Sequence, residues 1–152
     1  MMQKILLAIN ESPFSFQIAE FAYALAKPLE AELAILHVVD QALLPVFNEA
    51  NPQQQEEVLL KLKEQSNNFL TKFQSQFVGL KNWIFSQSGI PAEEIIKAAD
   101  EWKADLIIIG THGRTGLKRL FMGSVAEDVL RHSKIPVVVI PSAAHGSSRN
   151  IY

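Results

Sequence analysis

The sequence predicts one α/β domain, a mostly parallel sheet covered by helices on both faces. Two observations carry that expectation. Short, wholly apolar runs such as Ile5–Ile9 and Leu106–Ile109 have the pattern of strands buried on both sides. These runs alternate with longer stretches at helical spacing, and such alternation points to parallel strands joined by right-handed helical crossovers. A length of 152 residues suits a single domain and is enough to close a core.

Each element has a local reason. Ile5 to Ile9 forms the first strand. Asn10-Glu11-Ser12-Pro13 turns the chain, with Ser12 available to cap free amides and Pro13 suited to a first helical position. Phe14, Ile18, Phe21, Ala22 and Leu25 then recur at helical spacing, so a helix is expected over 13–27, with Pro28 as its stop. Leu33 to Val39 reads as the second strand, and 40–51 as a loop broken by Pro45. Pro52 opens a long polar helix to about Gln76, with Val58, Leu62, Phe69 and Phe73 facing inward. Asn82 to Phe85 is a weaker strand between Gly79 and Gly89. Pro91 starts a helix striped by Ile95, Ala99 and Trp102. Leu106 to Ile109, Val125 to His132 and Val137 to Ile140 complete the alternation as strand, helix and strand. The tail Ser142–Tyr152, with its Gly146 and serines, is expected to be loosely held.

Composition narrows the function. A formal charge of −2 gives no general electrostatic case for nucleic acid. The chain has no cysteine, which excludes disulfides, thiolate zinc sites and cysteine nucleophiles. No signal-peptide pattern opens it, and no apolar run approaches the roughly 18 residues of a membrane span. A cytoplasmic protein without a membrane partner is expected.

The chemistry concentrates between Ile109 and Glu127. Gly110 and Gly113 follow a buried strand, where the backbone must turn sharply or approach a ligand. Successive amides in such a turn make a concave nest for an anion. Gly123 and Ser124 stand at the entry to the next helix, and Ser124 with Glu127 matches a capping box. The amides and dipole of that helix start favour phosphate, with Arg114, Lys118 and Arg119 supplying charge nearby. Glycines after strands often serve turns alone, and the serine–glutamate pair is common at helix starts. Their combination at one strand-to-helix crossover puts ligand binding ahead.

Gly110-x-x-Gly113, nine residues, then Gly123-Ser124 resembles the G-x-x-G-x9-G-[S/T] signature of the ATP-binding branch of the universal stress protein family. The similarity runs over 3–141 and includes Lys4-Ile5-Leu6-Leu7, Leu36-His37-Val38, the stretch Gly113–Arg119 and Pro136–Pro141. It implies a Rossmann-like five-stranded parallel sheet of order 3-2-1-4-5 in a domain spanning 1–141. The order reverses between the first and fourth strands, so a ligand crevice should open at Ile9-Asn10 and Ile109-Gly110.

By the same resemblance, the backbone around Val38 meets adenine, and Ile9 and Asn10 flank the nucleoside. Gly110, Thr111, His112, Gly113, Arg114 and Thr115 wrap ribose and phosphates. Gly123, Ser124, Val125 and Ala126 hold the phosphates through amides and the serine hydroxyl. ATP, or ADP or AMP, is the implied ligand, in a regulatory module of the stress response that answers to an unidentified protein partner. Asn10 stands where the family usually has Asp, which keeps an acceptor but loses the charge. Mg2+ would therefore enter only through the phosphates. The resemblance also implies a homodimer through Val137, Val138, Val139 and Ile140, which would cover an apolar sheet edge. A slow ATP hydrolase using the same cleft, and a structural dimer without nucleotide, are the alternatives.

Other candidates are set aside. No residue is assigned a catalytic or metal-binding role. His37 is expected to pack in the core, His112 to lie in the binding loop without a partner carboxylate, and His132 to meet a helix dipole. Glu56-Glu57 and Glu93-Glu94 read as acids in first helical turns, and Phe69, Phe73 and Phe77 as core and rim.

Overall fold

The computed structural model describes residues 2–46, 49–111 and 123–141. Five parallel strands, β1 (Lys4–Ala8), β2 (Glu32–Asp40), β3 (Asn82–Gly89), β4 (Leu106–Gly110) and β5 (Val137–Ile140), form one sheet of order β3-β2-β1-β4-β5. Four α-helices connect them: α1 (Ser15–Leu29), α2 (Pro52–Gln74), α3 (Pro91–Trp102) and α4 (Ser124–His132). Leu7 at the centre pairs in register with Ile35 on one side and Ile108 on the other.

Strand alternation divides the core in two. Ile5, Leu7, Leu33, Ile35 and Ile108 face α1 and α2, where they meet Ile18, Ala22, Leu70 and Phe73. Leu6, Ala8, Leu36, Ile107 and Ile109 face α3 and α4, where Ile95, Ala99, Ala126 and Val129 cover them. The three aromatics assigned to packing pack: Phe73 and Phe77 are buried and Phe69 half-buried.

Several boundaries differ from the sequence expectation, each for a local reason. Helix α1 begins at Ser15, because 12–14 form a turn in which Ser12 Oγ accepts the Phe14 amide at 3.1 Å. Pro28 lies inside the helix and does not stop it. The chain leaves α1 when Glu30 takes left-handed geometry, and Glu30 and Ala31 donate to the carbonyls of Lys27 and Ala26. Strand β3 runs to Gly89, four residues beyond Phe85. Its second half, Ser86-Gln87-Ser88-Gly89, pairs with His37–Asp40 through backbone alone, so no apolar run announces it. Residues 41–43 form a 3-10 turn at the start of the expected loop. Glu93 and Glu94 lie in the first turn of α3, whereas the first turn of α2 contains no acid.

The amino-terminal ends of β1 and β4 are fastened by Asp105, whose Oδ2 accepts the amides of Gln3 and Lys4 at 2.8 and 2.9 Å. These backbone donors hold its carboxyl below the ordinary value of 3.8. The unfolded chain takes up this proton at the higher pH. The contribution is therefore complete above 3.8 and is lost as pH falls through the lower folded value. Asp105→Asn is expected to lose less stability than the wild type between neutral pH and about pH 3, measured by urea unfolding. Parallel acid limbs would contradict the assignment.

Candidate functional site

The parallel sheet delivers the carboxyl ends of β1, β2 and β4 to one rim, at the point where strand order reverses. A cleft of about 360 Å³ opens there. Ala8, Leu36, Ile95 and Ile109 give it an apolar floor, and Ile18 of α1 closes one side.

All nine expected site residues within the described segments line this cleft. Ile9 and Asn10 follow β1, and Val38 lies on β2. Gly110 and Thr111 leave β4, and Gly123, Ser124, Val125 and Ala126 enter α4. The remaining four, His112, Gly113, Arg114 and Thr115, lie outside the described residues, as do Lys118, Arg119 and the tail from Ser142.

Backbone geometry assigns the amides. Those of Ile9 and Thr111 donate to Leu36 and Ile140 carbonyls at 2.9 and 3.0 Å, extending the sheet by one residue at each strand end. The Gly123 amide donates to the Thr111 carbonyl at 2.6 Å, so it stitches the start of α4 to the end of β4. The first amide bonded within α4 is that of Glu127, to the Gly123 carbonyl at 3.0 Å. Ser124, Val125 and Ala126 precede it, and helix geometry offers their amides no carbonyl of their own helix.

The capping box does not form. Gly123, not Ser124, is the N-cap, and among the described residues no side chain caps the helix. Glu127 instead binds Arg131 at 2.7 Å, one turn further on. The arrangement leaves Ser124 in the first helical position, exposed at the cleft.

Gly110 has a structural role that its place in the motif did not reveal. Its φ is not positive, and a Cβ there would run into Cδ1 of the buried Ile18. A side chain at this position would have to push the end of Ile18 aside, with or without a ligand. Sequence reasoning also left out Ile18, Ile95, Pro91 and Asp40, all of which line the cleft. The first two were legible only as core positions, because helical spacing identifies a buried face and not which end of it meets a cavity.

His37 was expected in the core, and it is 6% exposed with its ring edge-on to Phe69 at 5.4 Å. It also lines the cleft, and its Nδ1 lies 2.6 Å from Ser66 Oγ. His132 ends α4, with Nδ1 2.9 Å from the Asp128 carbonyl of its own last turn.

A wider cavity of about 640 Å³ adjoins the cleft along 40–46 and the starts of α3 and α4. Of the nine described candidates only Ser124 and Val125 line it, so the smaller cleft is the candidate site.

The model of the universal stress protein family matches residues 1–141. Universal stress protein MJ0531 of Methanocaldococcus jannaschii is 31% identical over 147 residues, covering 91% of this chain and 81% of that protein. Universal stress protein YxiE of Bacillus subtilis is 31% identical, covering 92% of this chain and 99% of its own length. The solved structure of protein MJ0577 superposes with a TM-score of 0.84 at 31% identity, covering 93% of this chain and 96% of that one. A universal stress protein solved in complex with cAMP shares the fold, with a TM-score of 0.61 at 21% identity, covering 93% of this chain and 98% of that one.

Proposed function

Because the chain belongs to the universal stress protein family, we propose that it binds an adenine nucleotide, ATP foremost, in the cleft between β1 and β4. In this reading the bound nucleotide alters the surface offered to a regulatory protein partner. One observation carries the proposal: the residues at the ends of β1, β2 and β4 and the start of α4 surround a single cavity. The parts suit the ligand. An apolar floor suits a base, while the Ser124 hydroxyl and the amides of Ser124, Val125 and Ala126 donate to phosphate at the positive end of a helix. Asn10 offers both donors and an acceptor to a nucleoside. Mg2+ would arrive with the phosphates. We assign the binding unit to 1–141 of a cytoplasmic protein.

Isothermal titration with ATP, with and without Mg2+, tests this. One site per chain is expected, retained on truncation after Pro141. Ser124→Ala should weaken it by about fivefold, the worth of one hydrogen bond, and Gly123→Val should weaken it further. A folded wild-type chain that binds no nucleotide would refute the proposal.

We also propose a homodimer through β5. Among the described residues this strand pairs with β4 alone, and its residues Val137, Val138, Val139 and Ile140 are only half-buried. An apolar edge of this kind favours pairing with a second copy. Sedimentation at micromolar concentration should show the dimer, and a species of only 17.0 kDa would overturn it.

A further inference from the structure

Two cavities meet at the rim of the sheet. The cleft of about 360 Å³ and the outer cavity of about 640 Å³ share four lining residues, Asp40, Pro91, Ser124 and Val125. Each volume falls inside the roughly 300–1,000 Å³ typical of small-molecule sites. On the nucleotide reading above, a mononucleotide has its base in the cleft and its phosphates at Ser124 and Val125. It therefore ends at the junction, with the outer cavity ahead of it.

The outer cavity has a held wall and a chemistry of its own. Asp40 Oδ1 accepts the Ala42 amide at 2.9 Å, and Gln55 Nε2 of α2 donates to the Pro45 carbonyl at 3.2 Å. Leu44, Pro45 and Val46 contribute apolar surface from this segment, and Ile90 contributes it from the start of α3. Val46 and Ile90 are exposed although large and apolar, and apolar surface gathered around one cavity suits a ligand. The charged groups are Asp40 and Asp128, and no lysine, arginine or histidine is among the described lining residues. Carboxylates repel a further phosphate and accept from hydroxyl and amine donors. A flat, uncharged group with such donors fits this lining, and a nucleoside is one.

Resting on the nucleotide reading, we propose that the site takes a dinucleotide, two nucleosides joined through a phosphate chain. The first nucleoside fills the cleft, the chain crosses at Ser124 and Val125, and the second nucleoside enters the outer cavity. Its base packs on Leu44 and Ile90, and its sugar hydroxyls or exocyclic amine donate to Asp40 or Asp128. A mononucleotide such as ATP uses only the inner part of the site.

Calorimetry tests this by comparing diadenosine triphosphate with the γ-methyl ester of ATP, which has the same phosphate chain and charge but no second nucleoside. The diadenosine ligand is expected to bind the wild type about tenfold more tightly, at one per chain. Leu44→Ser combined with Ile90→Ser should bring the ratio of the two affinities close to one. In NMR spectra of the wild type, the amide signals of Leu44 and Ile90 should shift with the diadenosine ligand and not with the ester. Equal affinities, one diadenosine ligand per two chains, unmoved Leu44 and Ile90 signals, or a ratio that survives the double substitution overturns this inference alone. A wild type that binds neither ligand, nor ATP, overturns the nucleotide reading and this inference with it.

Discussion

Phe73→Ala is expected to lower the free energy of unfolding by about 3–5 kcal/mol, the largest stability loss foreseen for a single substitution here. Phe73 is 0% exposed at the centre of the α1–α2 face. Its ring lies 4.8 Å from Phe16 and 5.1 Å from Phe69, centroid to centroid. Truncation removes the transfer energy of the ring and leaves a void, which the regular strands beneath cannot collapse to fill. For a domain of this size the melting temperature should fall by roughly 6–20 °C. Phe16 touches the same ring but is 46% exposed, so Phe16→Ala should cost much less. Urea unfolding of both variants decides the matter. Similar losses for the two would mean that the Phe73 site relaxes around the deletion.

Gly110→Val is expected to weaken ATP binding by at least about a hundredfold and to destabilise the fold by about 1–3 kcal/mol. Both effects follow from one place. The added side chain enters a cleft of about 360 Å³ and meets Ile18 at its wall. A companion variant separates the two causes. Gly110→Ala alone should lose stability, and adding Ile18→Ala should return part of it, because the two positions touch and their effects couple. Ser124→Ala should affect binding without a comparable change in unfolding, since Ser124 is exposed and caps nothing. If Gly110→Val binds ATP normally, the ligand does not lie against the end of β4.

The alternation of elements was legible because β1 and β4 are covered on both faces and therefore read as unbroken apolar runs. The second half of β3 was not, because Ser86, Gln87, Ser88 and Gly89 pair along the strand through backbone and form no apolar run. Pro28 was misread as a terminator, although the helix runs one residue past it to the left-handed Glu30. At the site, the glycine and serine positions stood out because turns and helix starts have strong local chemistry. The Ser66–His37 contact joins residues 29 apart on different elements, and no local pattern in the chain reports such a pairing. The capping box failed for a subtler reason: the spacing was right, but the helix begins one residue earlier than the motif requires, with Ser124 already inside it.

The fastening at Asp105 has a consequence for how such a chain can change over generations. Gln3 and Lys4 also accept the amides of Glu32 and Asp105, each at 2.7 Å, and the Lys4 ammonium lies 5.2 Å from the centre of the Trp102 ring. These ties gather at the amino-terminal ends of the strands, whereas the cleft lies at the carboxyl ends. A strand separates the two by its full length, so substitutions at one end couple weakly to the other. Lineages can retune what the rim recognises while inheriting an unaltered base, and destabilising experiments at the rim can be offset by repairs at the base. A parallel sheet of this design is evolvable because its robustness and its novelty reside at opposite poles.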